Sequence, residues 1–576
     1  QVCFFTQDAS GDLRRNGHGG QLHYFHFTGT VSFVDGNRMA VVLPDMEALS
    51  HLREDGRIGV QLYLDETTYR LMFEALDRVS AARHGRLAEL RDIFHDTAQA
   101  GHFSFQPIRF SWLNPTQEIA VNEVLRAKDV MIVHGPPGTG KTTTLVEAIY
   151  ETLHRESQVL VCAQSNMAVD WISEKLTDRG VAVLRVGNPS RVNDKMLSFT
   201  YERRFEAHPS YPSLWAIRKA IRDLYAHRPS SGREAFHQKV ARLRDRATEL
   251  EIAINESLFN EARVIACTLA GSANRVLAGK KFPTLFIDEA AQALEASCWI
   301  AIQKAGRVIL AGDHRQLPPT VKCPEALKGG LDRTLMETIA ARHPSAVSLL
   351  RTQYRMNDAI MRSSECFYDG KVESAPEVKY RGILDWDTPM EWIDTADEEQ
   401  TALYLTEEPS GAVCAPVLPT VEVPDFRETR NPDSTSRSNP EEARLTLNIL
   451  KAYFQKIGKE RILAERIDTG IISPYKGQVQ LLRALLRRDA FFKPYRHLLS
   501  VNTVDGFQGQ ERDVILISLV RSNENGQIGF LHDLRRMNVA ITRARMKLIL
   551  VGNSHTLCRT PFYKLLHGYI KSLDAQ

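Results

Sequence analysis

Apolar residues along this chain recur in short runs that alternate with longer amphipathic stretches from residue 130 onward. A short apolar run between polar or glycine-rich segments is typical of a strand that is buried on both faces of a parallel sheet. Because parallel strands need a crossover before the next strand, this alternation predicts α/β architecture. The predicted strands are residues 130–133, 159–163, 181–187, 263–268, 284–288, 307–313, 347–350, 469–475, 501–504, 513–520 and 546–552.

Four other stretches show different patterns. Residues 20–65 alternate apolar and polar positions around the turn "DGNR", which predicts a small antiparallel β-barrel. The amphipathic residues 67–96 predict a helical stalk, either as one helix or as a hairpin. Residues 194–256 are polar and carry no strand signal, so they predict an inserted helical subdomain. Residues 407–443 are rich in Pro, Ser and Glu, which predicts a surface loop that ends where Asn439 caps a new helix.

These patterns predict an accessory domain followed by two α/β domains. The predicted limits are 1–99 for the barrel and stalk, 100–322 for the first α/β domain with its helical insertion at about 194–258, and 323–576 for the second with a loop at about 407–438.

Composition narrows the possible classes of protein. The 576 residues are 43% hydrophobic and 25% charged, with a net charge of +3, so a surface for nucleic acid must come from local patches. No apolar run approaches the roughly 20 residues that span a bilayer, and the start does not resemble a signal peptide. The eight cysteines are scattered without CxxC pairs, so we expect neither a zinc site nor a disulfide framework, and we expect a cytoplasmic location.

The first candidate chemistry lies in "GPPGTGKT", residues 135–142, between an apolar strand and an amphipathic helix. Glycines let the backbone N–H groups of such a loop point at an anion, and the following helix directs its positive end at the same place. Lys141 would bind the β- and γ-phosphates, and the Thr142 hydroxyl would hold Mg²⁺. The loop predicts binding of a nucleoside triphosphate, although kinases, GTPases, transporters and nucleic-acid motors all use such loops.

Two further strand ends carry residues suited to hydrolysis. Asp288 and Glu289 end the strand in "TLFIDEAAQALE", where Asp288 would hold Mg²⁺ and Glu289 would polarise the attacking water. Gln316 in "GDHRQLPPTV" follows the next strand, where it would contact the γ-phosphate.

Basic motifs in the second half go beyond what a single phosphate-binding domain needs. "LLRTQYRMN" contains Tyr354, an aromatic face for a base, and Arg355, a cation for phosphate. "RRMNVAITRARMKLIL" contains Arg543 among other arginines. Arginines that reach a nucleotide across a cleft accelerate phosphoryl transfer by roughly 10³- to 10⁵-fold, so two facing halves predict a motor.

The motif set resembles that of the superfamily 1 helicases. "LNPTQEIAV", "GPPGTGKT", "AQSNMAVD", "IDEAAQ", "GDHRQLPPTV", "QYRM", "SPYKGQV", "VDGFQGQERDVILISLVRSN" and "RMNVAITRAR" follow one another in the expected order over about residues 115–553. The resemblance is to the 5′→3′ branch, which contains the nonsense-mediated-decay helicase, senataxin and the immunoglobulin-mu-binding helicase. It implies two RecA-like P-loop domains in tandem.

The resemblance also implies individual roles at the nucleotide. Gln117 would read the adenine edge, Tyr354 would stack on the base, and Glu511 would bond the ribose. Arg355 and Arg543 would be arginine fingers, and Gln316 would couple the γ-phosphate to movement. With ATP and Mg²⁺ as cofactors, the metal would be held by Thr142 and Asp288. The loop residues in contact with ATP would be Gly135, Pro136, Pro137, Gly138, Thr139, Gly140, Lys141, Thr142 and Thr143.

The same resemblance implies contacts with a single strand of nucleic acid. The implied residues are mostly short and polar and lie at strand ends, which suits sugar–phosphate contacts that carry no sequence information. They are Ser165, Asn166, Thr268, Pro474, Lys476, Thr503 and Arg521.

The leading hypothesis is therefore an ATP-dependent 5′→3′ helicase or translocase that works as a monomer on single-stranded nucleic acid. One alternative is a nucleotide-gated clamp or scaffold that hydrolyses ATP without unwinding. Another is a phosphotransferase or metabolic ATPase, which leaves "QYRM" and "VAITRAR" unexplained. The choice between RNA and DNA depends on 2′-OH contacts, which the sequence does not display.

Overall fold

The computed structural model describes residues 2–7, 22–35, 38–43, 48–49, 51–52, 58–62, 66–95, 98–227, 233–405, 424–430 and 436–574. The chain divides into two compact units, residues 1–74 and residues 75–576. Both α/β sheets lie within the second unit.

The first unit contains an antiparallel sheet of four strands: β1 (Val2–Gln7), β2 (Leu22–Asp35), β3 (Arg38–Val42) and β4 (Ile58–Leu62). Their order across the sheet is β3-β2-β1-β4. β2 and β3 pair on either side of the predicted turn, and alternation along β1 buries Val2 and Phe4. The small antiparallel structure is confirmed, while its closure into a barrel stays a prediction.

The predicted stalk consists of two helices, α1 (Thr67–Ala81) and α2 (Arg86–His95). Gly85 lies between them at a φ of +86°, a conformation that glycine adopts without the strain of a side chain. Within the second unit, the Arg91 guanidinium donates to the carbonyls of Val79 at 2.8 Å and Ala82 at 2.7 Å, so it satisfies the free end of α1.

The first α/β sheet has seven parallel strands: β5 (Val130–His134), β6 (Val159–Ala163), β7 (Val183–Arg185), β8 (Val264–Thr268), β9 (Phe282–Asp288), β10 (Ala305–Gly312) and β11 (Val347–Leu349). Their order is β11-β5-β10-β9-β6-β8-β7. Its helices are α3 (Pro115–Arg126), α4 (Lys141–Thr152), α5 (Asn166–Asp178), α9 (Glu295–Ile302), α10 (Pro324–Lys328) and α11 (Leu335–Arg342). The inserted helices are α6 (Tyr201–Ala207), α7 (Tyr211–Ala226) and α8 (Arg233–Glu261).

One predicted strand belongs to the first sheet, although the predicted domain limits put it in the second α/β domain. Residues 347–350 were expected in the second α/β run, but β11 pairs with β5 in the first sheet, with Val347 opposite Ile132. The apolar run identifies a strand correctly, but its partner is set by tertiary packing that a local pattern does not encode. The first sheet therefore extends beyond the predicted limit at residue 322.

The second sheet has five parallel strands: β14 (Met390–Asp394), β17 (Thr469–Ser473), β18 (Leu499–Thr503), β19 (Arg512–Ser518) and β20 (Ala544–Gly552), in the order β14-β20-β19-β17-β18. Two further strand pairs are β12 (Thr352–Gln353) with β13 (Glu373–Ser374), and β15 (Thr429–Arg430) with β16 (Arg437–Ser438). The helices are α12 (Asp358–Ser363), α13 (Glu398–Leu405), α14 (Pro440–Ile457), α15 (Lys459–Glu465), α16 (Lys476–Arg488), α17 (Leu534–Ile541), α18 (Ser554–Leu557) and α19 (Pro561–Asp574).

Successive residues of these strands enter two different apolar cores. In β19, Ile515 and Ile517 pack in the core on one face of the sheet, while Val514 and Leu516 pack on the other. Side chains of a strand alternate between faces, so a sheet covered on both sides needs an unbroken apolar run. This is why the α/β strands were predictable.

The predicted surface loop is described only at residues 424–430 and from 436 onward, where β15 and β16 pair. Its predicted end is confirmed, because the Asn439 side chain accepts from the Glu442 N–H at 3.1 Å and Pro440 begins α14. Among the described residues, no helix has the length and apolar character needed to cross a membrane.

Candidate functional site

The glycine-rich loop leaves β5 at its carboxyl end, next to β10. The Gly135 N–H donates to the Gly312 carbonyl at 3.0 Å, and the Thr139 hydroxyl donates to the Pro136 carbonyl at 2.7 Å. Gly140 caps α4 from a left-handed conformation, with a φ of +75° and no capping side chain among the described residues. The first N–H groups of α4 are thus available to an anion.

The loop is also approached closely by side chains, so its glycines are needed. A Cβ atom at Gly135 would lie 2.7 Å from the Lys141 Cβ, and one at Gly138 would lie 2.6 Å from the Arg355 Cβ. The Gly138 carbonyl accepts from the Tyr354 N–H at 2.8 Å. Arg355 and Tyr354 follow β11, so the segment that leads into the second half lies against the loop.

Lys141 connects the loop to the acidic end of β9. Its Nζ lies 3.0 Å from Asp288 Oδ1 and 2.6 Å from Glu289 Oε1. Burial lowers the pKa of Lys141, but attraction to the two carboxylates outweighs burial and raises the pKa above its usual value. Thr142, the next residue, adds a hydroxyl, and carboxylate and hydroxyl oxygens are the ligand type that Mg²⁺ prefers. This donor set fits a magnesium–triphosphate group.

Glu289 has an unusual backbone for a residue with a side chain. Its φ is +51°, in the left-handed region, and its N–H donates to Asp288 Oδ1 at 2.8 Å. Its second carboxylate oxygen accepts from the Gln292 side chain at 2.8 Å. Strained conformations outside glycine concentrate at functional sites, which supports the role that the sequence indicated for Glu289.

Gln316 lies in a buried network centred on Asp313. The Gln316 amide donates to Asp313 Oδ2 at 2.7 Å, the Tyr368 hydroxyl donates to the same atom at 2.7 Å, and His134 Nε2 lies 2.9 Å from Oδ1. Burial alone would raise the pKa of Asp313, but these three partners outweigh burial and lower the pKa below its usual value. The Asn538 amide extends the network by donating to the Tyr368 hydroxyl at 2.9 Å.

Arg355 and Glu511 form a close ion pair beside the loop. Glu511 also accepts from Arg545 at 3.0 and 2.8 Å, so its carboxylate lies between two guanidinium groups. Burial raises the pKa of Glu511, but the two arginines lower it by more, and the net shift is downward. The residue implied to bond the ribose is therefore ionised and already engaged by side chains.

Arg543 is buried without a carboxylate among its hydrogen-bond partners in the described residues. It donates to the carbonyls of Gln510 and Val539, both at 3.0 Å, and its Nη2 lies 3.4 Å from Gln316 Oε1. Burial, and then the neighbouring Arg355, lowers the pKa of Arg543 to about 9. An anion in the cleft would offset this cost, so the surroundings of Arg543 fit a polyphosphate.

Gln117 and Tyr354, the implied partners of the base, both form hydrogen bonds with the glycine-rich loop. The Gln117 amide donates to the Thr139 carbonyl at 3.1 Å and completes a capping box with Asn114 at the start of α3. The Tyr354 hydroxyl accepts from the Asn114 amide at 3.1 Å, and the tyrosine side chain is partly exposed. Gln117 thus has a structural partner in addition to its implied role.

The implied contacts to nucleic acid in the first half lie at the ends of two neighbouring strands. Ser165 and Asn166 follow β6, and Thr268 ends β8, where it is paired with Ala163. Ser165 caps α5 by accepting from the Ala168 N–H at 3.2 Å, and Asn166 accepts from Arg185 at 2.8 Å.

In the second half the implied contacts again collect at carboxyl ends of strands. Pro474 and Lys476 follow β17, and Thr503 ends β18, where it is paired with Ser473. Lys476 is exposed, whereas Arg521 is 3% exposed and its Nε lies 2.7 Å from Glu428 Oε2.

Several residues around the site were not indicated by the sequence pattern. His134 directly precedes "GPPGTGKT" and Asp313 lies within "GDHRQLPPTV", so these motifs were a usable signal for both residues. Tyr368 carried no signal, because only the fold brings it to Asp313. Met167 and Trp171, on α5 beside Ser165, are 71% and 51% exposed.

Comparison with known proteins places the whole site within matched segments. Residues 112–324 and residues 331–555 each match a family described as AAA domain. "DNA-binding protein SMUBP-2" of Rattus norvegicus is 35% identical over 519 residues, covering 88% of this chain and 50% of that protein. An "Uncharacterized ATP-dependent helicase" of Methanocaldococcus jannaschii is 32% identical over 563 residues, covering 90% of this chain and 80% of that protein.

A third relative also matches most of this chain. "Regulator of nonsense transcripts 1 homolog" of Arabidopsis thaliana is 32% identical over 467 residues, which cover 80% of this chain and 34% of that protein. The chain spans about half the length of the SMUBP-2 relative.

Proposed function

Because the chain belongs to the superfamily 1 helicases, in the branch of SMUBP-2 and the regulators of nonsense transcripts, we propose that it is an ATP-driven 5′→3′ helicase on single-stranded nucleic acid. The observation that supports this most is the composition of the nucleotide site. Lys141, Asp288 and Glu289 come from the first α/β half, while Arg543 from the second half lies 3.4 Å from Gln316.

A site made from two halves links nucleotide state to their relative position. Lys141 binds phosphate oxygens, and Glu289 accepts a proton from the attacking water. Arg355 and Arg543 stabilise the negative charge that develops in the cleft. Magnesium, held by Thr142 and Asp288, supplies charge neutralisation when bound. When the charge in the cleft changes on hydrolysis, the two arginines lose a partner and the halves separate.

In this proposal the single strand of nucleic acid lies along the carboxyl ends of the β-strands in both sheets. Ser165, Asn166 and Thr268 contact it from the first half, and Pro474, Lys476 and Thr503 from the second. Short polar side chains suit the sugar–phosphate backbone, so binding is independent of base sequence. Both RNA and DNA carry the groups that these residues contact.

We further propose that the motor is a monomer in a reducing compartment such as the cytoplasm. One chain supplies both halves of the nucleotide site. The thiols of Cys162 and Cys267 are buried with their Sγ atoms 3.6 Å apart, and burial raises the pKa of Cys162 well above its usual value. Burial therefore keeps the Cys162 thiol protonated and unreactive, and buried free thiols are usual in reducing surroundings.

The test of this proposal is ATP hydrolysis measured with and without matched single-stranded RNA and DNA. We expect stimulation by at least one strand, with strand affinity that falls steeply as salt rises. Lys141→Ala and Glu289→Gln should each abolish hydrolysis. Lys195→Ala serves as the control, because Lys195 also pairs with a glutamate, Glu174, but on the surface. Hydrolysis retained in both site variants would refute the assignment.

Unwinding of labelled duplexes with either a 5′ or a 3′ tail tests polarity and separates a helicase from a clamp. The proposal predicts unwinding of the 5′-tailed duplex. Unwinding of only the 3′-tailed duplex contradicts the polarity. Strand-stimulated hydrolysis with no unwinding of either duplex would identify the clamp instead.

A further inference from the structure

A cavity of about 730 Å³ in the second half is not part of the nucleotide site. The side chains that matter for its chemistry are two arginines, two aromatic rings and a histidine. They are Arg437, Arg521, Tyr475, Phe530 and His532.

The cavity opens at the edge of the second sheet where we place the strand. Tyr475 follows the end of β17 by two residues, and Arg521 follows the end of β19 by three. Glu511 and Arg543, by contrast, directly precede β19 and β20. A seven-residue strand such as β19 is about 23 Å long at roughly 3.3 Å per residue, so the cavity and the nucleotide site lie at opposite ends of the sheet.

The wall of the cavity carries an excess of positive charge. Arg437 Nη1 lies 2.6 Å from one oxygen of Glu428, and Arg521 Nε lies 2.7 Å from the other. Two guanidinium groups therefore share one carboxylate. Arg521 also donates to the Tyr475 hydroxyl at 3.1 Å, which holds its guanidinium at the hydroxyl end of the ring. An anion is the ligand that completes this charge balance.

The rim carries a half-exposed aromatic side chain, Phe530, with the Arg536 guanidinium 5.9 Å from the centroid of its ring. Phe530 is 53% exposed, although its ring centroid lies only 5.5 Å from that of Tyr475. A phenylalanine held against other side chains but half open to solvent suits stacking on a planar group. A nucleotide offers both an aromatic base and an anionic phosphate, so it matches the ring and the charge together.

The backbone around the cavity lets the side chains of Arg521 and Tyr475 lie close to Gly529. Gly529 has a φ of +57°, and a Cβ there would lie 2.3 Å from Arg521 Nη1 and 2.7 Å from the Tyr475 hydroxyl. Val520, which precedes Arg521, has a φ of +71°, a rare conformation for a β-branched residue. Its N–H donates to Glu442 Oε1 at 2.7 Å, so a buried carboxyl group holds this strained turn.

We propose that this cavity, the Phe530 pocket, receives one unstacked base of the bound single strand. The base stacks on Phe530, and the adjoining phosphate faces the excess charge of Arg437 and Arg521. This inference rests on the proposed function, because nucleic acid must reach this edge of the sheet. It adds a contact with a base to the other proposed contacts, which are with the sugar–phosphate backbone of the nucleic acid.

Fluorescence anisotropy with a short labelled single strand tests the pocket in the full chain. Phe530→Ala should weaken binding by about 5- to 150-fold, the factor expected for one base stacked on an aromatic ring. Phe530→Leu keeps an apolar contact with Tyr475 and should also lose affinity, whereas Phe530→Trp should retain it. Trp386→Ala is the control, because Trp386 is 97% exposed and lies outside the pocket.

An oligonucleotide of the same length without bases separates stacking from backbone contacts. Wild type and Phe530→Ala should bind this abasic strand equally, because neither can stack a base. If Phe530→Ala binds the normal strand as wild type does, or loses affinity equally for the abasic strand, the pocket does not hold a base. If wild type binds no strand and shows no stimulated hydrolysis, the proposed function fails as well.

Discussion

Glu442 is a buried carboxyl group whose partners lie far away in sequence. Its Oε1 accepts from the Ser518 hydroxyl at 2.6 Å and from the Val520 N–H at 2.7 Å. Burial raises the pKa of Glu442 to about 7, because these bonds to Ser518 and Val520 lower it by less. The neighbouring Glu428 adds to the rise. A carboxyl group that titrates near neutrality makes stability depend on pH.

We expect Glu442→Gln to change that dependence in a definite direction. Between pH 4.5 and about 7 the folded chain holds a proton at Glu442 that the unfolded chain has released. The free energy of unfolding contributed by this group therefore falls as pH rises, by ~3 kcal/mol at about 1.36 kcal/mol per pKa unit. Glutamine does not titrate. The melting temperature of the variant minus that of wild type should therefore increase as pH rises from 5 to 8.

The neighbouring Glu441 provides the control for this measurement. Glu441 is partly exposed and pairs with Arg444 at 2.6 Å, so Glu441→Gln should keep the pH dependence of wild type. Identical pH dependence in Glu442→Gln and wild type would show that Glu442 does not titrate in this range.

At the scale of single residues, the roles that could be predicted from the sequence are those that follow from a local pattern. Asn439 and Pro440 mark a helix start in any fold, and Lys141 belongs to a loop whose shape its own glycines determine. The partners of Glu442 were not predictable, since Ser518 and Val520 lie 76 and 78 residues away. Glu442 lies in the first turn of α14, but its side chain bonds to β19 and to the turn that follows it.

Among the elements, the glycine-rich loop is the one on which the site depends most. Gly138 has a φ of +77°, and its missing side chain leaves room for Arg355. The loop was predictable because its conformation follows from its own glycines. The membership of β11 in the first sheet was not, because Val347 pairs with Ile132 more than 200 residues earlier. β14 was missed because Glu391 interrupts its apolar run.

Gly138→Ala separates backbone strain from the contact with Arg355. Alanine in the left-handed region costs about 1–2 kcal/mol, and here its Cβ would also lie 2.6 Å from the Arg355 Cβ. We expect a lower melting temperature and a large loss of ATP hydrolysis. Gly180→Ala is a matched control, because Gly180 has a φ of +80° and no atom within 4 Å of the added Cβ. It should lose stability but keep hydrolysis; equal loss of hydrolysis in both variants would contradict the role of this contact.

Across the whole molecule, a buried polar network joins the two halves of the second unit. Asp313 follows β10 of the first sheet, whereas Tyr368 packs in a core of the second half. The Tyr368 hydroxyl donates to Asp313 at 2.7 Å and accepts from Asn538 at 2.9 Å. Asn538 also donates to the Arg315 carbonyl at 2.9 Å, one residue before Gln316. A change at Gln316 can therefore reach both halves through hydrogen bonds.

Tyr368→Phe removes this link and keeps the ring in its core. Asp313 and Asn538 each lose one hydrogen-bond partner, which should lower the free energy of unfolding by about 1–3 kcal/mol. If the hydroxyl couples the halves, the ratio of strand-stimulated to basal ATP hydrolysis should also fall. Tyr563→Phe is the control, since Tyr563 is buried in the same core and donates only to the Leu531 carbonyl at 2.8 Å among the contacts described. Tyr563→Phe should lose stability and keep the ratio. An equal ratio in the two variants would show that Tyr368 only stabilises the fold, because the lost hydrogen bonds are then the whole effect.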